Sequence, residues 1–166
     1  MTLEELLRSR DERAALQRKL LAAYPGCSLV CLTVQLPGEI KRSADSLLIG
    51  GAGLAALLDR FGSVLRHVQV RDLPTGYEAY LLLPLPERLV KQNCCAIEAA
   101  HPLGRLMDMD VFGQDGIPVS RQEVGEEPRR CLLCEREVRL CMRSQTHSRE
   151  ELLREIHRRV ENYANL

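Results

Sequence analysis

The chain has 166 residues, 45% of them hydrophobic and 28% charged, which is the composition of one ordinary globular domain. Lysine plus arginine and aspartate plus glutamate both number 23, so the formal net charge is zero. This balance argues against a nucleic-acid-binding protein and against a protein drawn to anionic membranes.

The chain opens with signals for a helix and then a strand. Thr2 and Glu5 have the spacing of a capping box, and an amphipathic helix is predicted from there to about Tyr24. Pro25-Gly26 ends it. The apolar, β-branched run 27–36 predicts a buried strand.

A second helix and a hairpin are predicted next. The helix covers 43–61 and stops at Gly62. Its glycines at 50, 51 and 53 predict either a break or a close backbone approach. Strands over 64–71 and 77–83, joined by a Pro-Thr-Gly turn, predict the hairpin.

The last third predicts a helix from Pro86 to about residue 100 and a strand over 106–112. A cysteine-bearing segment over 129–147 has no clear period, and Ser148 and Glu151 cap a final helix. This order predicts an α+β fold with mixed layers: a central, mostly antiparallel or mixed sheet with flanking helices. We expect one domain over 1–166, with 129–166 as a zinc-stabilised C-terminal appendage.

Two aspartates give the most informative chemical signal. In an extended strand over 106–112, Asp108 and Asp110 point to one face, about 7 Å apart along the strand, while their neighbours face a core. Such a carboxylate pair can hold Mg²⁺, which shares hard oxygen ligands with substrate phosphates. The alternative is a solvated strand face without a ligand.

The residues before this strand offer further candidates. Gly104 and Arg105 predict a close backbone approach and a guanidinium that binds phosphate. His101 is a candidate general base or ligand. Because His101 precedes Pro102 at a predicted helix exit, a cap or turn residue is the alternative.

A basic turn precedes the second helix. Lys41, Arg42 and Ser43 add side-chain donors to the free N–H groups of a helix N-terminus, which favours anions. A polyphosphate clamp is one interpretation. A capped helix with solvated basic residues is the other.

Four residues near the C-terminus have the chemistry of a metal site. Cys131, Cys134, Cys141 and His147 give the spacing C-x2-C-x6-C-x5-H, and sulfur and nitrogen donors suit structural Zn²⁺. The alternative is a set of reduced thiols packed beneath the last helix.

Cysteine usage and the N-terminus predict a cytoplasmic protein. The seven cysteines are an odd number, and the adjacent Cys94 and Cys95 are poor disulfide partners for each other. The acidic N-terminus lacks the pattern of a secretory signal, and no apolar run approaches the roughly 18 residues of a membrane span.

Several of these motifs occur together in the order of a known family. They are His101-Pro102-Leu103-Gly104-Arg105-Leu106-x-Asp108-x-Asp110-Val111, Arg129-Arg130-Cys131-Leu132-Leu133-Cys134, Ser9-Arg10-Asp11-Glu12-Arg13, Pro37-Gly38-x-Ile40-Lys41-x-Ser43 and Cys141-x-Arg143-x3-His147. Jointly they resemble the citrate lyase holo-acyl-carrier-protein synthase family, the apo-citrate lyase phosphoribosyl-dephospho-CoA transferases. The resemblance spans nearly the whole chain.

The resemblance implies a bacterial nucleotidyltransferase of citrate fermentation. Members take 2′-(5″-triphosphoribosyl)-3′-dephospho-CoA as donor and attach its phosphoribosyl-dephospho-CoA part to a serine of the citrate lyase acyl carrier (gamma) subunit. Pyrophosphate leaves, and the attached group is the prosthetic group of the lyase.

The residue interpretation accommodates this reaction. Asp108 and Asp110 would hold Mg²⁺ against the triphosphate. The expected substrate-binding residues are Lys41, Arg42, Ser43, Gly104 and Arg105. The proton acceptor stays open among His101, Glu98 and Asp110, and a third metal ligand could come from Glu98, Glu78 or elsewhere in the chain.

Two other functions account for parts of the sequence. A non-catalytic, zinc-stabilised interaction module would bind zinc and be indifferent to the aspartates. A metal-dependent nucleotidyltransferase with another acceptor would use the same aspartate pair on a different substrate.

Overall fold

The computed structural model describes residues 1–166 and shows five helices around one four-stranded sheet. The helices are α1 (Leu3–Ala23), α2 (Ala44–Phe61), α3 (Glu87–Ala100), α4 (Val138–Ser144) and α5 (Arg149–Ala164). The strands are β1 (Ser28–Val34), β2 (His67–Leu73), β3 (Gly76–Leu83) and β4 (Met107–Phe112). The predicted α+β fold is confirmed.

The sheet is antiparallel throughout, with the strand order β2-β3-β1-β4. β2 and β3 form the predicted hairpin, with Leu73 opposite Gly76 at its turn. β1 lies between β3 and β4, so that Thr33 stands opposite Asp108. β4 is an edge strand, and its outer side is free to meet other elements.

Helices cover both faces of the sheet. On one face, buried side chains of α2, α3 and α5 pack with the sheet into the main core, which includes Ile49, Val90 and Ile156. On the other face, Leu20 and Leu21 of α1 pack into a smaller cluster. Removal of these apolar surfaces from water is the main favourable term in folding. No helix combines the length and the apolar character needed to cross a bilayer.

The helix starts follow the sequence closely. Thr2 with Glu5, and Ser148 with Glu151, form the two predicted capping boxes. Ser43 and Ser46 form a third at the start of α2. Each box satisfies backbone N–H groups that a helix N-terminus otherwise leaves without partners.

The glycines of α2 permit a close approach and do not break the helix. α2 is continuous over its 18 residues, and Gly50 and Gly53 are buried. A Cβ at position 50 would lie 2.4 Å from the Tyr77 ring, so only glycine fits there. Of the two predicted outcomes, the structure shows the close backbone approach.

The cysteine-bearing segment contains a helix that the sequence pattern did not predict. α4 spans Val138–Ser144 and buries only Cys141. The sequence of α4 shows no helical period of apolar residues because the helix does not pack against the main core and needs no apolar stripe. α5, by contrast, contributes Ile156 and Val160 to that core.

Candidate functional site

β4 carries two aspartates on one face of the sheet. Met107, Met109 and Val111 are fully buried, whereas Asp108 is partly exposed and Asp110 is exposed. This alternation places both carboxylates on the face opposite the main core, as the strand period predicts.

α3 holds the outer edge of β4 through two buried charged side chains. Lys91 Nζ donates to the Met109 carbonyl at 2.9 Å, and the Met109 N–H donates to Glu98 Oε1 at 2.9 Å. Arg121 Nη1 donates to Glu98 Oε2 at 2.7 Å. Because Met109 lies between the two aspartates, these bonds fix the part of β4 that carries both carboxylates.

Asp108 is held from two directions. Gln35 Nε2 donates to its Oδ2 at 2.7 Å, and Arg129 Nη1 approaches its Oδ1 at 3.4 Å. The same Arg129 donates through Nη2 to the carbonyls of Met107 (2.6 Å) and Arg105 (3.1 Å). The Asp108 carboxylate is therefore oriented by its neighbours, whereas the Asp110 carboxylate makes no hydrogen bond within the protein.

A polar cleft of about 870 Å³ opens beside the aspartates. Only two of its seventeen lining residues are hydrophobic, so the cleft suits a charged ligand better than an apolar one. Its carboxylates outnumber its cationic groups: the acidic residues are Glu98, Asp108, Asp110, Glu126, Glu127 and Glu137, and the basic ones are Lys91, Arg121, Arg129 and Arg139. A bound cation would offset this excess of negative charge.

Asp110 is the more perturbed of the two carboxylates. The surrounding protein removes part of its hydration although the side chain still meets solvent, and the nearby charge of Asp108 adds repulsion. Together they raise the pKa of Asp110 to about 6. Paired carboxylates that repel each other in a water-accessible cleft fit the oxygen-donor preference of Mg²⁺.

Neither glutamate considered as a third metal ligand offers a free carboxylate. Both oxygens of Glu98 already accept the hydrogen bonds described above. Glu78 is 1% exposed and accepts hydrogen bonds from Arg13 (3.0 Å), Arg71 (2.6 Å) and Tyr80 (2.5 Å). A buried carboxylate with this many donors is a structural group.

The basic turn lies outside the cleft. The Lys41 ammonium donates to the Leu36 carbonyl, Arg42 pairs with Asp72 at 2.9 Å, and the Ser43 hydroxyl caps α2. Each of the three side chains thus makes a contact within the protein. This resembles the second interpretation drawn from the sequence, a capped helix, more than a polyphosphate clamp. The phosphate-binding role of these three residues stays a prediction.

His101 also lies away from the lining of the cleft. Its Nδ1 accepts the Leu103 N–H at 3.0 Å, and its ring centroid lies 5.3 Å from that of Tyr163 on α5. Burial lowers the pKa of His101. These contacts are those of a residue in the turn after α3, and the structure does not bring His101 to the aspartates.

Gly104 and Arg105 form the turn that leads into β4. A Cβ at position 104 would lie 2.1 Å from the Glu98 carbonyl oxygen, so the close approach predicted for Gly104 is to α3. The Arg105 guanidinium has no hydrogen-bond partner. Partial burial, and then the charges of Arg129 and Arg159, lower its pKa. A free guanidinium next to other arginines suits an anion.

The structure brings the four predicted zinc ligands together. The donor atoms of Cys131, Cys134, Cys141 and His147 all lie within 4.8 Å of one another. Cys134 Sγ lies 3.3 Å from Cys141 Sγ and 3.4 Å from His147 Nε2. Three thiols and one imidazole at this separation can bind a metal ion such as zinc.

Local backbone structure places these ligands. The Cys131 N–H donates to the Arg136 carbonyl at 2.7 Å, which closes a tight loop around the C-x2-C pair. α4 carries Cys141, and Gln145 then adopts a left-handed conformation (φ 48°) that turns the chain back toward His147.

Sequence reasoning missed several residues around the aspartates, notably Lys91 and Arg121 in the lining of the cleft and Gln35, which donates to Asp108. A signal for one of them was present: Lys91 and Glu98 share one face of α3 with the apolar Cys95, and all three side chains are buried. Arg121 and Gln35 lie in irregular segments, and no local pattern places them beside β4.

The comparisons with a family model and with individual proteins point to the same family. Residues 1–163 match the family described as apo-citrate lyase phosphoribosyl-dephospho-CoA transferase. Proteins of that name from Streptococcus pyogenes and Vibrio cholerae are 38% and 37% identical to the chain; the alignments cover 98% and 99% of it, and 87% and 94% of the relatives. A Haemophilus influenzae protein named CitXG is 34% identical over 98% of the chain, which covers 36% of that longer protein.

Proposed function

The chain belongs to the family of apo-citrate lyase phosphoribosyl-dephospho-CoA transferases, and we propose that it attaches the prosthetic group of citrate lyase to the acyl carrier (gamma) subunit of that enzyme. Family membership makes the chain a transferase. The proposed donor is 2′-(5″-triphosphoribosyl)-3′-dephospho-CoA, the acceptor is a serine of the carrier, and the leaving group is pyrophosphate.

We assign the transfer reaction to the polar cleft because of one observation: the paired carboxylates of Asp108 and Asp110 lie there. In the proposed reaction the serine oxygen bonds to the phosphorus nearest the ribose, and the bond from that phosphorus to pyrophosphate breaks. Asp108 and Asp110 would hold Mg²⁺, which when bound neutralises charge on the triphosphate and on the departing pyrophosphate.

The side chains of the cleft have complementary tasks in this proposal. Lys91 and Glu98 of α3 fix the position of β4 through their hydrogen bonds to the Met109 backbone. Arg139 lines the cleft, and Arg105 lies near Arg129; neither has a hydrogen-bond partner, and both are proposed to bind phosphates.

The serine proton needs an acceptor, and geometry narrows the choice. Of the three candidates, Glu98 has both oxygens engaged and His101 lies off the cleft. Asp110 lines the cleft, and its carboxylate has no hydrogen bond within the protein. We propose that one of its oxygens accepts the proton when the serine attacks.

The cysteine cluster is proposed to bind one structural Zn²⁺ through Cys131, Cys134, Cys141 and His147. Hydrogen bonds from the Arg136 backbone, from His147 and from Cys141 lower the pKa of Cys134 to about 6, which favours the thiolate that zinc requires. The seven free cysteines fit the reducing cytoplasm, which is the proposed location.

The reaction is tested by incubating the protein with Mg²⁺, the triphosphoribosyl-dephospho-CoA donor and purified apo-carrier, and then weighing the carrier by mass spectrometry. The expected result is a mass gain equal to one phosphoribosyl-dephospho-CoA group, with one pyrophosphate released per carrier. A carrier whose acceptor serine is replaced by alanine is the control and should gain nothing. An unchanged mass of the wild-type carrier would reject the proposal.

A further inference from the structure

The segment between β4 and α5 has almost no hydrophobic core. Over residues 114–148, Cys131 and Cys141 are the only buried residues, and both belong to the cysteine cluster. The larger apolar side chains there, such as Leu140 and Met142, are 52% and 71% exposed. Leu132 alone packs, partly buried, against the main core, so the segment has little of the apolar burial that ordinarily orders a segment of this length.

The same segment forms one side of the cleft. Seven lining residues come from residues 126–139: Glu126, Glu127, Pro128, Arg129, Glu137, Val138 and Arg139. The guanidinium of Arg129 reaches across to Asp108 and to two backbone carbonyls at the start of β4. The shape of the proposed active site thus depends on a segment without its own core.

Short backbone links join the cysteine cluster to this wall. The Val138 N–H donates to the Arg129 carbonyl at 2.9 Å, and the Cys131 N–H donates to the Arg136 carbonyl at 2.7 Å. Arg129 lies two residues before a cluster cysteine, and Val138 lies three residues before another. The cluster therefore sets the position of the residues that face the aspartates.

We infer that a zinc ion in the cysteine cluster serves as the core of a clasp, residues 126–147, which holds Arg129 against Asp108 and completes the cleft. The inference rests on the function proposed for the cleft. Structural zinc contributes folding free energy directly, so a segment that lacks buried apolar side chains can depend on it. Without zinc the clasp detaches from β4, and the cleft loses one wall.

The test compares two cysteine variants that remove equally buried thiols. Cys141→Ser removes a proposed ligand, and Cys27→Ser removes a thiol of the smaller cluster; both cysteines are 6% exposed. Zinc content, trypsin cleavage within the clasp, and transfer to the carrier are measured on each. The clasp contains five arginines at which trypsin can cut: Arg129, Arg130, Arg136, Arg139 and Arg143.

The expected result is that Cys141→Ser loses zinc, is cut within the clasp at least on the order of ten times faster than wild type, and loses transfer in parallel. Cys27→Ser should keep zinc, trypsin resistance and transfer. In case Cys141→Ser does not fold, wild-type protein is stripped with a chelator of transition metals in excess Mg²⁺ and then given zinc again. Protection and transfer should disappear and return together.

Zinc-free protein whose clasp stays resistant to trypsin, or that transfers at the wild-type rate, would overturn the inference. A purified wild-type protein without zinc would overturn it as well. If zinc-loaded protein modifies no carrier, the proposed function fails, whereas the trypsin result still decides whether zinc orders the clasp.

Discussion

Asp108 and Asp110 lie two residues apart but have different surroundings. Asp108 has Gln35 and Arg129 as partners, whereas Asp110 has none and its pKa is raised to about 6 by lost hydration and by the charge of Asp108. An acid whose pKa is raised on folding destabilises the protein when it is ionised, so stability falls as the pH rises through about 6.

Asp110→Asn should therefore stabilise the protein while it impairs the reaction. In Mg²⁺-free buffer at neutral pH we expect the free energy of unfolding to rise by up to about 1 kcal/mol, since solvent screens this exposed group. At pH 4 the gain should vanish. Urea unfolding at both pH values measures it, with Asp59→Asn on the exposed side of α2 as control. A less stable Asp110→Asn at neutral pH would contradict the electrostatic argument.

Glu78 presents the opposite case. Burial opposes its ionisation, but the hydrogen bonds from Tyr80 and Arg71 and the charge of Arg13 outweigh burial and lower its pKa. Its stabilising contribution is therefore complete above the usual glutamate pKa near 4.5 and is lost as the pH falls further.

Glu78→Gln should lower the free energy of unfolding at pH 7 by about 3 kcal/mol, because it leaves two arginines beside a buried site without their counter-charge. The difference from wild type should narrow as the pH falls below about 4.5. Denaturant unfolding at several pH values checks both statements, with the exposed Glu12→Gln as reference. A difference that stays constant down to pH 3 would show that Glu78 is not ionised in the folded protein.

The helices and strands with a clear apolar period are the ones that the sequence predicted well. The capping residues placed the starts of α1 and α5, and the alternation around Asp108 placed β4. α4 was missed because its structure depends on cysteines that meet in space, and local pattern carries no such information. The predicted phosphate ligands Lys41 and Arg42 were plausible by residue type, but the residue type does not show that Lys41 donates to the Leu36 carbonyl or that Arg42 pairs with Asp72, thirty residues away.

Two neighbouring glycines of α2 test how closely this helix packs on the sheet. Gly50→Ala would place a methyl group 2.4 Å from the Tyr77 ring, and this overpacking should cost about 1–3 kcal/mol. Gly51→Ala meets no atom within 4 Å, so the better helix propensity of alanine should add up to about 1 kcal/mol. Thermal unfolding of both variants should give shifts of opposite sign. Equal shifts would mean that α2 does not approach β3 this closely.

The cleft lies at the edge of the sheet and not between its layers. β4 is the outermost strand; α3 covers its outer side from one direction, and the clasp covers the cleft from another. A site at an open edge suits the proposed acceptor, a folded carrier protein, because the proposed serine could reach a donor bound in the cleft. The molecule thus divides into a main core that holds the aspartate strand and a wall that completes the cleft and that, in our proposal, depends on zinc.

The most direct measurement is the rate of carrier modification in a single turnover, followed by the mass of the carrier, for wild type, Asp108→Asn and Asp59→Asn. Circular dichroism establishes that all three are folded. The predicted result is a loss of at least about 100-fold for Asp108→Asn, because charge on the reacting phosphates is no longer neutralised, and no change for Asp59→Asn. Transfer by Asp108→Asn at a rate near that of wild type would contradict the assignment of the aspartate cleft as the active site.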